Sequence, residues 1–220
     1  MSGLWAVVPV KEPARGKTRL APALDAAARR ALMLAMLGDV LDALAQAPGL
    51  SGVLVATLDR EAASVATRFG AEISREDAGL GHSEAVAAAA RRLAREQSAM
   101  LTLPADIPLL QPEDVAAILE AHRGGRDFVI VPSRDGNGTN AVLCAPADLV
   151  PLRFGAPSFR PHLAAARARG IEPTVLDLPR VALDIDEPAD LEALLAAPSR
   201  CRARTVAAMR NTTGEVIQSR

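Results

Sequence analysis

The sequence predicts an α/β fold, a mostly parallel mixed sheet with helices on both faces. Three observations carry that reading. Through the first half of the chain, apolar runs of strand length alternate with alanine-rich segments at helical spacing. A strong turn signal, Arg134-Asp135-Gly136-Asn137-Gly138, joins two neighbouring apolar runs and brings a hairpin into an otherwise parallel pattern. Half of the 220 residues are hydrophobic, enough for the core of one ordinary domain.

Taken in order, Leu4–Val10 reads as a buried first strand, and Asp25–Gln46 as a long helix with Leu32, Met36, Leu37, Val40, Leu41 and Leu44 on one face. Asp25 suits its N-cap. Gly52–Thr57 is a second strand, Asp59–Phe69 a short helix, and Ala71–Ser74 a brief third strand. After a turn-like stretch, Glu76–Gly81, a helix is predicted over Ser83–Glu96, with Ser83 as a cap. Ala99–Leu103 is the fourth strand. Pro112 fits the first position of the next helix, which runs to about His122. The hairpin strands are Asp127–Val131 and Asn140–Cys144. A helix over Arg160–Arg169 stops at Gly170, short strands are predicted over Thr174–Leu178 and Val181–Leu183, and Glu187–Ala196 is the last helix. Residues 1–197 thus read as one domain, and 198–220 as an Arg-rich tail, poorly ordered or docked on something outside the pattern.

Composition narrows the function. Net charge is −1, so bulk electrostatics gives no case for nucleic acid or an anionic membrane. No apolar run reaches the roughly eighteen residues of a membrane span, and the N-terminal apolar run does not read as a signal peptide. Cys144 and Cys201 sit in unlike contexts, which predicts neither a disulfide framework nor a zinc site and points to a reducing cytoplasm. His82, His122 and His162 show no metal-binding spacing, and with tyrosine absent there is no stacking platform for single strands. Nothing in the pattern excludes a homodimer.

The chemistry gathers on loops. VPVKEPARGKTRLAP, residues 8–22, links the first strand to the first long helix and carries Lys11, Arg15, Lys17 and Arg19. At the carboxyl end of a strand in an open α/β sheet, four cations make a polyanion site, although a solvated basic loop looks the same by charge count. Gly16-Lys17-Thr18 imitates the end of a phosphate-binding P-loop. Lys11 stands where that motif needs its first glycine, so side-chain cations must carry the anion. Asp106 follows the fourth strand in Pro104-Ala105-Asp106-Ile107-Pro108, too far from the next helix to cap it. Asp184 and Asp186, two apart at the end of a predicted strand, point to one face and repel unless a cation joins them. Mg²⁺, which takes carboxylates together with phosphate oxygens, fits such a set. Helix capping explains one of the pair at most. Gly138-Thr139-Asn140 and Phe154-Gly155-Ala156-Pro157-Ser158 are small-residue loops. The helix start at Ser158 offers backbone amides and a hydroxyl to a second anion, or is an ordinary cap.

Taken together, VPVKEPARGKTRLAP, LPADIPLL, GTNAVL, FGAPSF and LDIDEPADL resemble the CofC-type guanylyltransferases of deazaflavin coenzyme F-420 biosynthesis, from the first strand to about Leu195. The ordered combination is specific, though no single piece is. The resemblance implies a Rossmann-like nucleotide-diphospho-sugar transferase fold. It implies a reaction joining GTP to 2-phospholactate, phosphoenolpyruvate or 3-phosphoglycerate, with release of pyrophosphate. It makes Asp106, Asp184 and Asp186 the Mg²⁺ ligands, and Thr139, Gly155 and Ser158 the contacts to the phosphorylated acid. Lys11, Lys17 and Arg19 fall to the GTP phosphates, and Lys17, Arg19 and Asp106 to catalysis. Many members carry Gly-Leu-Asn-Glu near the guanine. Here the stretch is Gly81-His82-Ser83-Glu84, so a serine hydroxyl replaces an amide, and Ser83 and Glu84 are the expected base-side residues. Two other classes stay open: a related nucleotidyltransferase or glycosyltransferase with another donor or acceptor, and a nucleotide-binding regulator without catalysis.

Overall fold

The structure, a computed structural model, describes residues 3–11, 17–197 and 204–209. Its seven strands are β1 (Leu4–Pro9), β2 (Gly52–Ala56), β3 (Glu72–Ser74), β4 (Ala99–Thr102), β5 (Asp127–Pro132), β6 (Thr139–Ala145) and β7 (Thr174–Val175). They form one sheet in the order β3-β2-β1-β4-β6-β5-β7. β6 is antiparallel to both neighbours, and every other pairing is parallel. The antiparallel insertion is the predicted hairpin.

Period-two alternation divides the core between the two faces of the sheet. Ala6 and Val8 of β1, Leu101 of β4 and Leu143 of β6 pack on α1 (Ala26–Gln46), α2 (Arg60–Arg68) and α4 (Pro112–Glu120). Val7, Met100 and Val142 pack on α3 (His82–Arg95) and α5 (Phe159–Arg167). A third cluster lies at one end of the molecule. There Leu20, on a 3-10 turn over Thr18–Leu20, meets Leu32 and Met36 of α1, Leu183 and Ile185, and Leu191 and Leu194 of α7 (Pro188–Ala196).

Local chemistry sets the helix ends. Asp25 caps α1 by accepting from Ala28 N at 2.7 Å, and Asp59 caps α2 through Ala62 N at 2.8 Å, contacts of about 1 kcal/mol each. Pro112 opens α4 as predicted. Two expectations are corrected. Ser83 does not cap α3, because the helix begins one residue earlier, with Gly81 at the N-cap (φ 132°). Val181–Leu183 is not a strand. Pro179 opens a single helical turn, α6 (Pro179–Ala182), in which Val181 N and Ala182 N both donate to Leu178 O. Asp184 and Asp186 therefore sit on the connection between α6 and α7.

Within the tail expected to be poorly ordered, residues 204–209 form a helix on α1. The buried Asp39 of α1 organises it, accepting from Thr205 N (2.9 Å), Thr205 Oγ1 (2.6 Å) and Arg204 N (3.2 Å). A carboxylate on the apolar side of a helix needs such partners. Arg200, Arg202, Arg210, Arg220 and Cys201 lie outside the described residues. Among the described residues no helix is long and apolar enough to cross a membrane.

Candidate active site

Strand order reverses at β1, with β2 on one side and β4 on the other, and the loops beyond this switch point enclose a cleft. Because β6 runs backwards, its first residues, Thr139 and Asn140, reach the same end of the sheet as the last residues of β1 and β4. The cleft has two lobes. One, of about 440 Å³, is lined by Thr139, Gly155, Ser158, Asp184, Arg19 and Arg134 among others. The second, of about 370 Å³, is lined by Lys11, Lys17, Met33 and Met36. Asp106, Asp186, His82 and Pro104 border both, so the acids stand where the lobes meet.

Lys17 is the centre of that junction. Its side chain is only 5% exposed, and its ammonium donates to Asp106 Oδ2 and, at 2.6 Å, to Asp186 Oδ1. Burial alone would lower its pKa, but the two carboxylates more than offset this and hold it above 10.5. Its backbone is left-handed (φ 53°, ψ 40°), a conformation that costs a residue with a Cβ about 1–2 kcal/mol. Strain kept at a buried side chain marks a position fixed by its surroundings. Leu20, fully buried three residues on, supplies the anchor.

The connection bearing the other two acids is held in the same way. Ile185 is fully buried and its N–H donates to Asp106 O at 3.0 Å, which sets the two acid loops side by side. With Ile185 turned into the core, Asp184 and Asp186 face the cleft. The expectation that both point one way holds on an extended connection instead of a strand. Asp184 Oδ1 accepts from Asn140 Nδ2 at 3.1 Å. Burial raises the pKa of Asp184, and the like charges of Asp106 and Asp186 add to the rise.

Three carboxylates against one ammonium leave the floor of the cleft two charges negative. Asp106 Oδ1 is buried there without a hydrogen-bond partner. An orphaned carboxylate oxygen beside excess negative charge suits a hard divalent cation. As now placed, with Lys17 between two of the acids, no three carboxylate, histidine or cysteine side chains among the described residues form a ready cage.

Other predicted residues land as follows. Arg15 and Gly16 lie outside the described residues. Lys11 lines the second lobe, while Arg19 lines the first and pairs across its rim with Glu187 at 3.4 Å. Thr139, Gly155 and Ser158 come together in the first lobe. The amides expected to hold an anion at the start of α5 are otherwise engaged: Ser158 N and Phe159 N both donate to Asn137 O, at 2.9 and 3.1 Å. Ser83 and Glu84 line neither lobe. The Ser83 hydroxyl accepts from Phe154 N at 2.9 Å and so ties the start of α3 to the Gly155 loop. Glu84 is exposed, folded back near Gly81.

Sequence reasoning missed His82, Arg134, Asn140 and His162. His82 packs on Phe154 (ring centroids 4.4 Å apart), and burial depresses its pKa to about 4, so it is neutral at pH 7. Arg134 lines the first lobe and pairs with Asp190 at 2.6 Å. Asn140 Nδ2 also reaches Val181 O and Ala182 O, clasping the α6 turn to β6. Asn140 and Arg134 had a sequence signal in their place beside the predicted turn, and His82 in its place within Gly81-His82-Ser83-Glu84, whereas His162 had none.

A switch-point cleft with cations on one loop and acids on two others suits a nucleotidyltransferase. The comparisons agree on fold and class. A protein of Desulfovibrio desulfuricans G20 described as a nucleotide-diphospho-sugar transferase superposes with a TM-score of 0.76 at 21% identity, covering 99% of this chain and 98% of its own, and so shares the fold. The family model described as "Guanylyl transferase CofC like" matches residues 4–207. The phosphoenolpyruvate guanylyltransferase of Rubrobacter xylanophilus is 43% identical over 87% of this chain and 93% of its own length. The 2-phospho-L-lactate guanylyltransferase of Methanothermobacter thermautotrophicus is 36% identical over 84% and 81%. The 3-phospho-D-glycerate guanylyltransferase of Colwellia psychrerythraea is 36% identical over 87% and 92%. The chain belongs to the CofC-like guanylyl transferase family, and it is a guanylyltransferase.

Proposed function

We propose that the enzyme transfers the guanylyl group of GTP to the phosphate of a small phosphorylated carboxylic acid, releasing pyrophosphate, as a step in deazaflavin coenzyme F-420 biosynthesis. The observation that carries the reading is the junction of the lobes at Asp106, Asp186 and Lys17. The lobe with Lys11 and Lys17 suits the nucleotide phosphates, and the lobe with Thr139, Gly155 and Ser158 suits the acid. An oxygen of the acid's phosphate attacks the α-phosphorus of GTP, and the bond to the bridging oxygen of pyrophosphate breaks. The attacking oxygen is already anionic, so no general base is needed, in keeping with His82 and His162 held neutral. Lys11 and Lys17 orient the phosphates and stabilise charge on the departing pyrophosphate. Asp106, Asp184 and Asp186 would hold Mg²⁺, which when bound supplies Lewis-acid charge stabilisation. Gly155, at φ 121°, lets the loop turn beside the acid where a side chain would be strained.

Six relatives at 37–43% identity carry the name phosphoenolpyruvate guanylyltransferase, which makes phosphoenolpyruvate the acid to assay first. The test is purified enzyme with Mg²⁺ and each of GTP, ATP, CTP and UTP against each of the three acids, read by pyrophosphate release and product mass. GTP with one of these acids should give the guanylylated product. Turnover confined to another nucleotide, or to none of the acids, overturns the reading.

A further inference from the structure

We infer that His162 is a positioning residue which fixes the Thr139 hydroxyl as a hydrogen-bond donor into the first lobe, and so selects an anionic oxygen of the acid at that point. The inference rests on the proposal that this lobe takes the acid.

The geometry leaves little freedom. Arg153 N donates to His162 Nε2 at 3.0 Å, so that nitrogen carries no proton. The neutral ring must then bear its proton on Nδ1, which stands 3.1 Å from Thr139 Oγ1 and donates to it. Ser158 Oγ lies 3.2 Å from the same oxygen, and with Ser158 1% exposed and no other acceptor for its hydroxyl among the described residues, its proton is assigned to Thr139. A hydroxyl oxygen has two lone pairs and one proton. With both lone pairs filled, Thr139 can no longer accept and has only its proton to offer. Thr139 is 8% exposed, and that exposure is on the lobe it lines. His162 itself is 1% exposed and faces Phe154 edge-on at 5.3 Å. It acts through Thr139 without touching the ligand. Burial holds its pKa near 4, which keeps the ring neutral at working pH. An obligate donor suits a phosphate or carboxylate oxygen and disfavours a ligand offering an N–H or O–H there.

Steady-state kinetics with both substrates varied tests this. His162→Gln places an acceptor near Nε2 and removes the Nδ1 donor, whereas His162→Asn places a donor near Nδ1. His162→Gln should raise KM for the acid about tenfold, the scale of one lost hydrogen bond to a charged group, with KM for GTP unmoved. His162→Asn should recover most of the loss. Thr139→Val should raise the acid KM at least as much, and in that background His162→Gln should add nothing. If Thr139→Val leaves the acid KM unchanged, the assignment of the lobe fails and takes the inference with it. If Thr139→Val raises it but His162→Gln does not, or adds its full effect on top, the inference alone falls. Should the His162 variants not fold, long-range nitrogen–proton NMR of the wild type decides, with His82→Gln and His122→Gln used for assignment: a proton on Nδ1 of His162 is expected, and one on Nε2 overturns the inference.

Discussion

Replacing Lys17 with alanine tests the junction most directly. From the sequence alone the variant is expected to keep its fold, because position 17 lies on a polar loop. The structure changes that expectation, since the ammonium is buried between two carboxylates. Removing one partner of a buried charge pair costs about 3–5 kcal/mol. Asp106 and Asp186 are 27% and 45% exposed, so water takes over part of the load. We therefore expect a loss of about 2 kcal/mol, which for a domain of this size is about 4–8 °C in Tm. Alanine keeps the left-handed strain and glycine relieves it, so Lys17→Gly should melt above Lys17→Ala by about 1 kcal/mol. The lysine pKa is raised above 10.5 in the folded state. Its contribution is thus complete at neutral pH and disappears only as alkali passes the folded value. The assay is a melting series in EDTA and in Mg²⁺, run beside turnover. Because the variant exposes bare carboxylates, Mg²⁺ should stabilise it more than it stabilises wild type, while turnover stays low. A variant that melts with wild type in EDTA would refute the buried bridge, and equal Mg²⁺ shifts in both would refute a shared cation seat.

Three further outcomes are expected. Asp184→Asn should cost turnover at least about a hundredfold, the scale of one lost electrostatic contact in a transition state, while the ligand-free protein melts level with wild type or slightly above it. Folding raises the Asp184 pKa, so its charge penalises the native state above that value and the penalty lifts as pH falls through it; the stability gap between variant and wild type should close in acid, and a gap that widens there would contradict the assignment. Ser158→Ala removes one donor to Thr139 and should raise KM for the acid more than for GTP, with about 1 kcal/mol of stability lost; a shift in the GTP term instead would mean the two lobes are assigned the wrong way round. Gly155→Ala meets no atom within 4 Å but forces a side chain to φ 121°, so denaturant melts should show a loss of about 1 kcal/mol or more, and an unchanged midpoint would show that the loop adapts freely.

Much of this was legible in the sequence because it is local. Alternating apolar runs gave the strands, Asp25 gave a helix start, and the Asp135-Gly136 turn announced the one reversed strand. The acids at loop positions 106, 184 and 186 were readable because no capping or packing role accounts for all three. What stayed hidden depends on pairings distant in sequence. Three apolar residues, Val181–Leu183, have no period long enough to separate a strand from a helical turn, and Pro179 decided it. The use of the Ser158 and Phe159 amides by Asn137 O cannot be seen in a helix start considered alone. Ser83 reads as a base contact by its place in the motif, and the sequence does not show that its oxygen also accepts from Phe154 N, 71 residues away. His162 shows no sequence signal because its partners, Thr139 and Arg153, converge only once β6 and α5 are folded together.

The third core cluster explains how the chain tolerates such a junction. A left-handed backbone at Lys17 and three neighbouring carboxylates are each unfavourable to folding, and of the acids Asp184 is held from the sheet by Asn140 of β6. Leu20 and Ile185 bear the load, each fully buried and each next to, or a few residues from, a charged residue of the cleft. Burying one such side chain is worth about 1.5–3 kcal/mol, the same scale as the strain at Lys17. The two anchors meet in one cluster with α1 and α7, so the lysine loop and the acid connection are located against each other, and the acid connection also against the sheet through Asn140. A change in that cluster is therefore expected to alter the spacing between cation and acids before it disturbs the two larger core faces.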